Sequence, residues 1–136
     1  MTINSINLKD NKKKPVTPVC SIDYAFRRVG GKYKGRILIY LWRNNVLRYG
    51  ALRRSIIDIT PKMLTQTLRE LEDDGLIRRV AYSELPPKVE YSLTDTGLRF
   101  VPFIHELKEW GDQQLIKGNI PSFAALEDDG NQKGTC

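Results

Sequence analysis

At 136 residues, 40% of them hydrophobic and 28% charged, the chain can form one globular domain with a modest core and short tails. Its formal charge of +6 and pI near 9.4 favour anionic partners, nucleic acid before acidic membrane, without setting a fold. No apolar run approaches a membrane span, the polar start leads us to expect no signal peptide, and Cys20 and Cys136 with one histidine cannot form a zinc site. A cytoplasmic protein without metal, cofactor or disulfide framework is expected.

Residues 1–17 are polar, with Lys12, Lys13 and Lys14 ahead of Pro15 and Pro18, and predict a flexible basic arm. Such an arm is either a plain disordered tail or a tracker of DNA phosphates. The folded domain is expected over 18–117. Residues 20–29 predict a short helix with Ile22, Ala25, Phe26 and Val29 on one face. Gly30-Gly31-Lys32 then breaks the chain; it lacks the spacing and final Ser/Thr of a phosphate loop, and no strand precedes it. Residues 34–44 form a helix that is apolar nearly all round and should be the most buried one. After the Asn44-Asn45 turn, 49–56 predicts a third helix with Leu52 and Ile56 inward and Arg48, Arg53 and Arg54 outward.

The next helix is the most strongly specified. Thr60 is its N-cap, Pro61 takes the first helical position where a missing N–H costs nothing, and Gly75 closes it. Leu64, Leu68 and Leu71 share the buried face. The exposed face carries Lys62, Thr65, Gln66 and Arg69 in its first half, while Glu70, Glu72, Asp73 and Asp74 crowd the second. Only the first half suits DNA, as in a recognition helix entering a major groove. An ordinary amphipathic surface helix is the alternative.

Residues 76–83, including Arg78 and Arg79, and 89–93 predict two strands around a loop stiffened by Pro86-Pro87. A hairpin placed after a recognition helix is a wing, and Lys88 is expected to be held out from it. Thr94 starts a long final helix that Pro102 should kink or divide. Its stripe of Phe100, Phe103, Ile104, Leu107, Trp110 and Leu115 exceeds what the core needs. We expect Phe100, Phe103, Ile104, Leu107 and Trp110, with Ile22 and Phe26, to form a homodimer interface; packing back onto the same chain is the alternative. Residues 118–136 read as a loose polar tail. The expected fold class is α+β and mostly helical: a winged helix-turn-helix with a two-stranded wing and a long C-terminal dimerisation helix.

Several segments together, from Cys20 to Gly111, resemble the HxlR-type winged-helix regulators of the MarR-like superfamily. They are Gly30-Gly31-Lys32, Tyr49-Gly50-Ala51-Leu52-Arg53, Thr60-Pro61-Lys62-Met63-Leu64-Thr65-Gln66, Leu68-Arg69-Glu70-Leu71-Glu72, Asp74-Gly75-Leu76-Ile77, Pro86-Pro87-Lys88-Val89-Glu90-Tyr91 and Leu93-Thr94. The chain departs from the usual pattern at Ser21, Tyr33, Tyr49 and Ile57-Asp58, where Pro, Trp, Phe and Pro-Gly are common. The resemblance implies a transcription regulator, a homodimer on double-stranded DNA with two half-sites. Arg53, Arg54, Thr60, Pro61, Lys62, Arg79 and Lys88 would serve the backbone, and Thr65, Gln66 and Arg69 the bases. It also suggests a redox or electrophile switch at Cys20, where a helix N-terminus lowers a thiol's pKa, or else a small packed residue. A small-molecule or oxidant effector is compatible with it. No catalytic residues stand out, and His105 has no partner for a base or ligand role. The rival reading is a winged-helix protein-interaction module without sequence-specific DNA binding.

Overall fold

Ile37, Leu38, Ile39, Tyr40 and Leu41 are consecutive and all buried, so the helix that carries them, α2 (Lys34–Asn44), is the axis around which the rest packs. The structure is a computed structural model and describes residues 16–123. In chain order it comprises α1 (Ser21–Val29), α2, β1 (Val46–Arg48), α3 (Tyr49–Ser55), α4 (Pro61–Asp73), β2 (Ile77–Tyr82), β3 (Lys88–Leu93) and α5 (Asp95–Lys117). Around α2 the core adds Leu52 and Ile56 near α3, Leu64, Leu68 and Leu71 from α4, Tyr91 from β3, and Val101 and Ile104 from α5. Every predicted helix and both predicted strands are present, and the fold is a winged helix-turn-helix.

The sheet is antiparallel and three-stranded, in the order β1-β3-β2, where the sequence predicts two strands. The added strand pairs Leu47 with Tyr91 along the free edge of β3. Three residues are too few to show an alternation, so only the edge of β3 turns them into a strand.

The α4–β2–α5 junction is tightly built. Gly75 has φ +74°, the left-handed conformation that ends α4, and a Cβ on Gly97 would lie 2.0 Å from the Leu76 carbonyl oxygen. Thr94 caps α5: its hydroxyl accepts from the Gly97 amide at 3.1 Å and donates to the Gly75 carbonyl. The start of α5 is thereby fixed to the end of α4.

Two expectations change. Pro102 does not divide α5, which runs unbroken from 95 to 117. Pro102 and Leu98 are both exposed, so the Leu98 carbonyl that loses its helical partner can be hydrated. The expected loose tail does not begin at 118: the Ile120 amide donates to the Leu115 carbonyl at 2.9 Å, and the Phe123 ring lies 5.2 Å from the Arg36 guanidinium. Phe123, half-buried, is the apolar side chain this turn brings against the domain. Residues 1–15, most of the expected basic arm, and 124–136, including Cys136, lie outside the described residues.

Candidate nucleic-acid interface

Local chemistry positions α4. The Thr60 hydroxyl accepts from the Met63 amide at 3.1 Å, satisfying one of the donors that a helix start leaves orphaned, and the Thr60 carbonyl accepts the first helical bond, from the Leu64 amide at 2.9 Å. Leu64, Thr67, Leu68 and Leu71 are buried, and the Thr67 hydroxyl donates to the Met63 carbonyl at 2.7 Å, so its burial strands no polar group. Lys62, Thr65, Gln66 and Arg69 are all exposed on the opposite side. The Gln66 amide makes one long bond, 3.4 Å, to Glu70.

Two anchors that sequence reasoning missed set the angle of this helix. Tyr49, at the start of α3, donates to the Pro61 carbonyl at 3.1 Å and lies 3.3 Å from the Thr65 hydroxyl, tying the first turns of α3 and α4 together. Asp58, in the turn between those helices, accepts from Arg36 at 2.8 Å and pairs with Lys32 at 3.1 Å, while Tyr33 donates to its backbone carbonyl at 3.0 Å. The Arg36 guanidinium and then Lys32 hold the Asp58 carboxyl below its usual range, with partial burial opposing them. Asp58 in turn, with the Tyr33 phenol, holds the Lys32 ammonium above its usual value. Tyr49 and Asp58 both stand where the chain departs from the pattern it resembles, and that departure was the available signal.

The acidic second half of α4 also has work to do. Glu70 pairs with Lys34 at 3.3 Å and Asp74 with Arg28 at 3.3 Å, so these acids fasten α4 to the helices behind it. The cations on the leading side are different. Among the described residues, Arg53, Arg54, Lys62, Arg69, Arg78 and Arg79 are exposed and form no salt bridge. Thr65 and Arg69 share an open groove of about 470 Å³ with Arg79 of β2 and Tyr49, which brings helix and wing to one cleft.

Lys88 departs from expectation. It is not held out from the wing: its side chain is only 23% exposed, 3.6 Å from Glu84 and 4.5 Å over the Tyr82 ring. The register explains this, because Lys88 stands directly opposite Tyr82 across the β2–β3 pair, within reach of a long side chain. Among the described residues, Arg78 and Arg79 are wing cations without such a partner, and Arg79 is the one that lines the groove beside α4.

The family model for HxlR-like helix-turn-helix matches residues 28–119. The chain belongs to that family. An HTH-type transcriptional regulator of Methanothermobacter thermautotrophicus is 46% identical over 93 residues, covering 68% of this chain and 70% of its own length. Among solved structures, the redox regulator HypR in its oxidized form has TM-score 0.63 and 41% identity over 69% of this chain and 96% of that one. The reduced form of the transcriptional regulator YodB from B. subtilis has TM-score 0.61 and 31% identity over 71% and 94%. The chain is thus a transcriptional regulator with a helix-turn-helix domain, and its relatives are regulators rather than enzymes.

In this HxlR-like chain the expected dimer residues divide into two sets. Ile104 is 9% exposed and Phe100 half-buried, and both pack on the chain's own core; α5 needs this side to cover α2. Ile22, Phe26, Phe103, Leu107 and Trp110 remain open to solvent, with Phe103 66% exposed and Trp110 63%. Cys20 is an exposed free thiol at the N-cap of α1, where the amides of Asp23 and then Ile22 hold its pKa below the ordinary thiol value. His105 is half-buried, its ring edge-on to Trp42 at 4.7 Å. Among the described residues no group of three His, Cys, Asp or Glu is placed to hold a metal ion, and no helix is long and apolar enough to cross a membrane.

Proposed function

We propose that this regulator is a sequence-specific, homodimeric binder of duplex DNA. The observation that carries the reading is the set of cations around the exposed start of α4 that are left without acidic partners. Unpaired cations cost nothing extra to bring onto phosphates, whereas paired ones must first give up a carboxylate. Lys62 and the capped N-terminus of α4, with Arg53, Arg54 and Arg79, would hold the backbone, Lys88 contributing little from its place against Glu84. Thr65, Gln66 and Arg69 would read base edges in the major groove.

The second subunit is supported by the apolar side chains left open on α1 and the outer side of α5. Phe103, Leu107 and Trp110 recur at helical spacing along α5, and large apolar side chains left exposed together mark an interaction surface. A two-fold pair would set two α4 helices one DNA turn, or a multiple of it, apart. Selecting duplexes from a random pool with the purified protein tests both points. A site with two related half-sites supports the reading; indifferent binding to all duplexes would leave only a winged-helix interaction module.

Cys20 supplies the regulatory part of the reading, supported by its exposure, its lowered pKa and the likeness to two redox-studied neighbours. A peroxide would convert the thiol to a sulfenic acid with release of water, and a second thiol would displace a second water to form a disulfide. A bridge at α1 would change the spacing of the reading helices. Duplex affinity before and after peroxide, in the native chain and in Cys20→Ser, decides it: an oxidant response that persists in the variant rules Cys20 out.

A further inference from the structure

A cavity of about 570 Å³ lies between α1, the first half of α2, the second half of α5 and the turn that follows it. Small-ligand sites run from roughly 300 to 1,000 Å³. Its walls include the side chains of Ile39, Ile104, Leu107, Leu115 and Phe123. Gly111 lines it, and a Cβ there would meet nothing within 4 Å, so a larger side chain at this position has room to enter.

The charges on its lining do not cancel. Lys108 is neutralised by Asp112 at 2.8 Å. Lys32 and Arg36 share a single carboxylate, Asp58, which leaves one positive charge in excess. The Arg36 side chain is only 10% exposed and lies between the rings of Tyr33 and Phe123, 5.5 and 5.2 Å from their centroids. One of its terminal nitrogens, Nη2, donates to Asp58, but its Nε is buried with no acceptor among the described residues. A buried donor on a cation without an acceptor is rare in folded proteins and calls for a cause.

We propose that this cavity binds a small organic anion, a carboxylate or sulfonate on an apolar body. The anion would be received by Arg36 Nε and the Lys32 ammonium, and the body by Ile39, Ile104, Leu107 and Leu115. The Phe123 ring, 5.2 Å from the Arg36 guanidinium and outside α5, would shift as the anion reaches Nε. Phe26 and Leu107 line the same cavity and belong to the face assigned above to the second subunit, so a bound anion would press on the subunit contact. The site is independent of the DNA reading, since it is measured on the protein alone.

The test titrates the full chain with 2-naphthoate and with neutral 2-naphthalenemethanol, by calorimetry. Saturable naphthoate binding is expected, at least about tenfold tighter than the alcohol, a gap that one charge-assisted hydrogen bond supplies. Arg36→Met should remove that gap and leave the alcohol within about threefold. Lys32→Met should narrow it, and Gly111→Phe, which fills the cavity, should weaken both ligands. If Arg36→Met fails to fold, Lys32→Met and Gly111→Phe carry the test, since neither removes a buried group. Equal affinity for acid and alcohol, or affinity indifferent to Gly111→Phe, overturns the proposal. So does the absence of saturable binding.

Discussion

The leading and trailing halves of α4 use charge in opposite ways. At the trailing half, Glu70 and Asp74 meet Lys34 and Arg28, and the turn before the helix is held by Asp58 between Arg36 and Lys32. At the leading half, Lys62 and Arg69, with Arg53, Arg54 and Arg79 nearby, have no acidic partner within the described residues. Paired charges hold a helix at an angle; unpaired ones are free for the polyanion proposed above. The same residue types serve structure on one side and, in the proposed function, recognition on the other.

That contrast can be broken by exchanging the readouts. The largest expected effect on DNA is at Arg69 and Gln66. Alanine at either should cost about 1–3 kcal/mol of discrimination at one base pair, seen as relaxed preference in a competition gel shift, with an unchanged melting temperature. Asp58→Asn should do the reverse, lowering stability by about 1.5–3 kcal/mol in urea while sparing base preference. Because the folded pKa of Asp58 lies below its unfolded value, its contribution is complete above the unfolded value and is lost as pH falls through the folded one. The stability gap between native chain and Asp58→Asn should therefore be full and constant above about pH 4 and close as pH falls below it. Convergence at neutral pH instead would show that the staple contributes nothing.

The smaller effects sharpen the comparison within the wing. Arg79→Ala should weaken all duplexes alike and reduce the slope of log affinity against log salt by about one. Lys88→Ala, already paired with Glu84, should change neither affinity nor slope by as much, and stability by no more than about 0.5 kcal/mol. Were Lys88 to matter more than Arg79 in a salt-titrated gel shift, the partnered lysine would have to leave Glu84 on binding. On the face proposed for the second subunit, Trp110→Glu should yield monomers in sedimentation, whereas Ile104→Ala, inside the core, should instead cost about 2–5 kcal/mol of stability.

Much of this molecule is legible in the order of its residues. Local rules act within a few positions, so the Thr60-Pro61 start, the Gly75 stop and the spacing of Leu64, Leu68 and Leu71 determine α4 without outside help. The same holds for the solid apolar run of α2 and the Thr94 cap of α5. What pairs with what across the chain was decided only by the tertiary structure. Arg36 and Asp58 are 22 positions apart, and Tyr49 and Pro61 are 12. No periodicity links such residues; they meet because α2, α3 and α4 pack around one core. The fate of Lys88, the third strand at Val46–Arg48 and the division of the α5 stripe between core and solvent belong to the same class. Each depends on a neighbour that only folding brings near, and a side chain's partner, unlike its helix, cannot be read from its own surroundings in sequence.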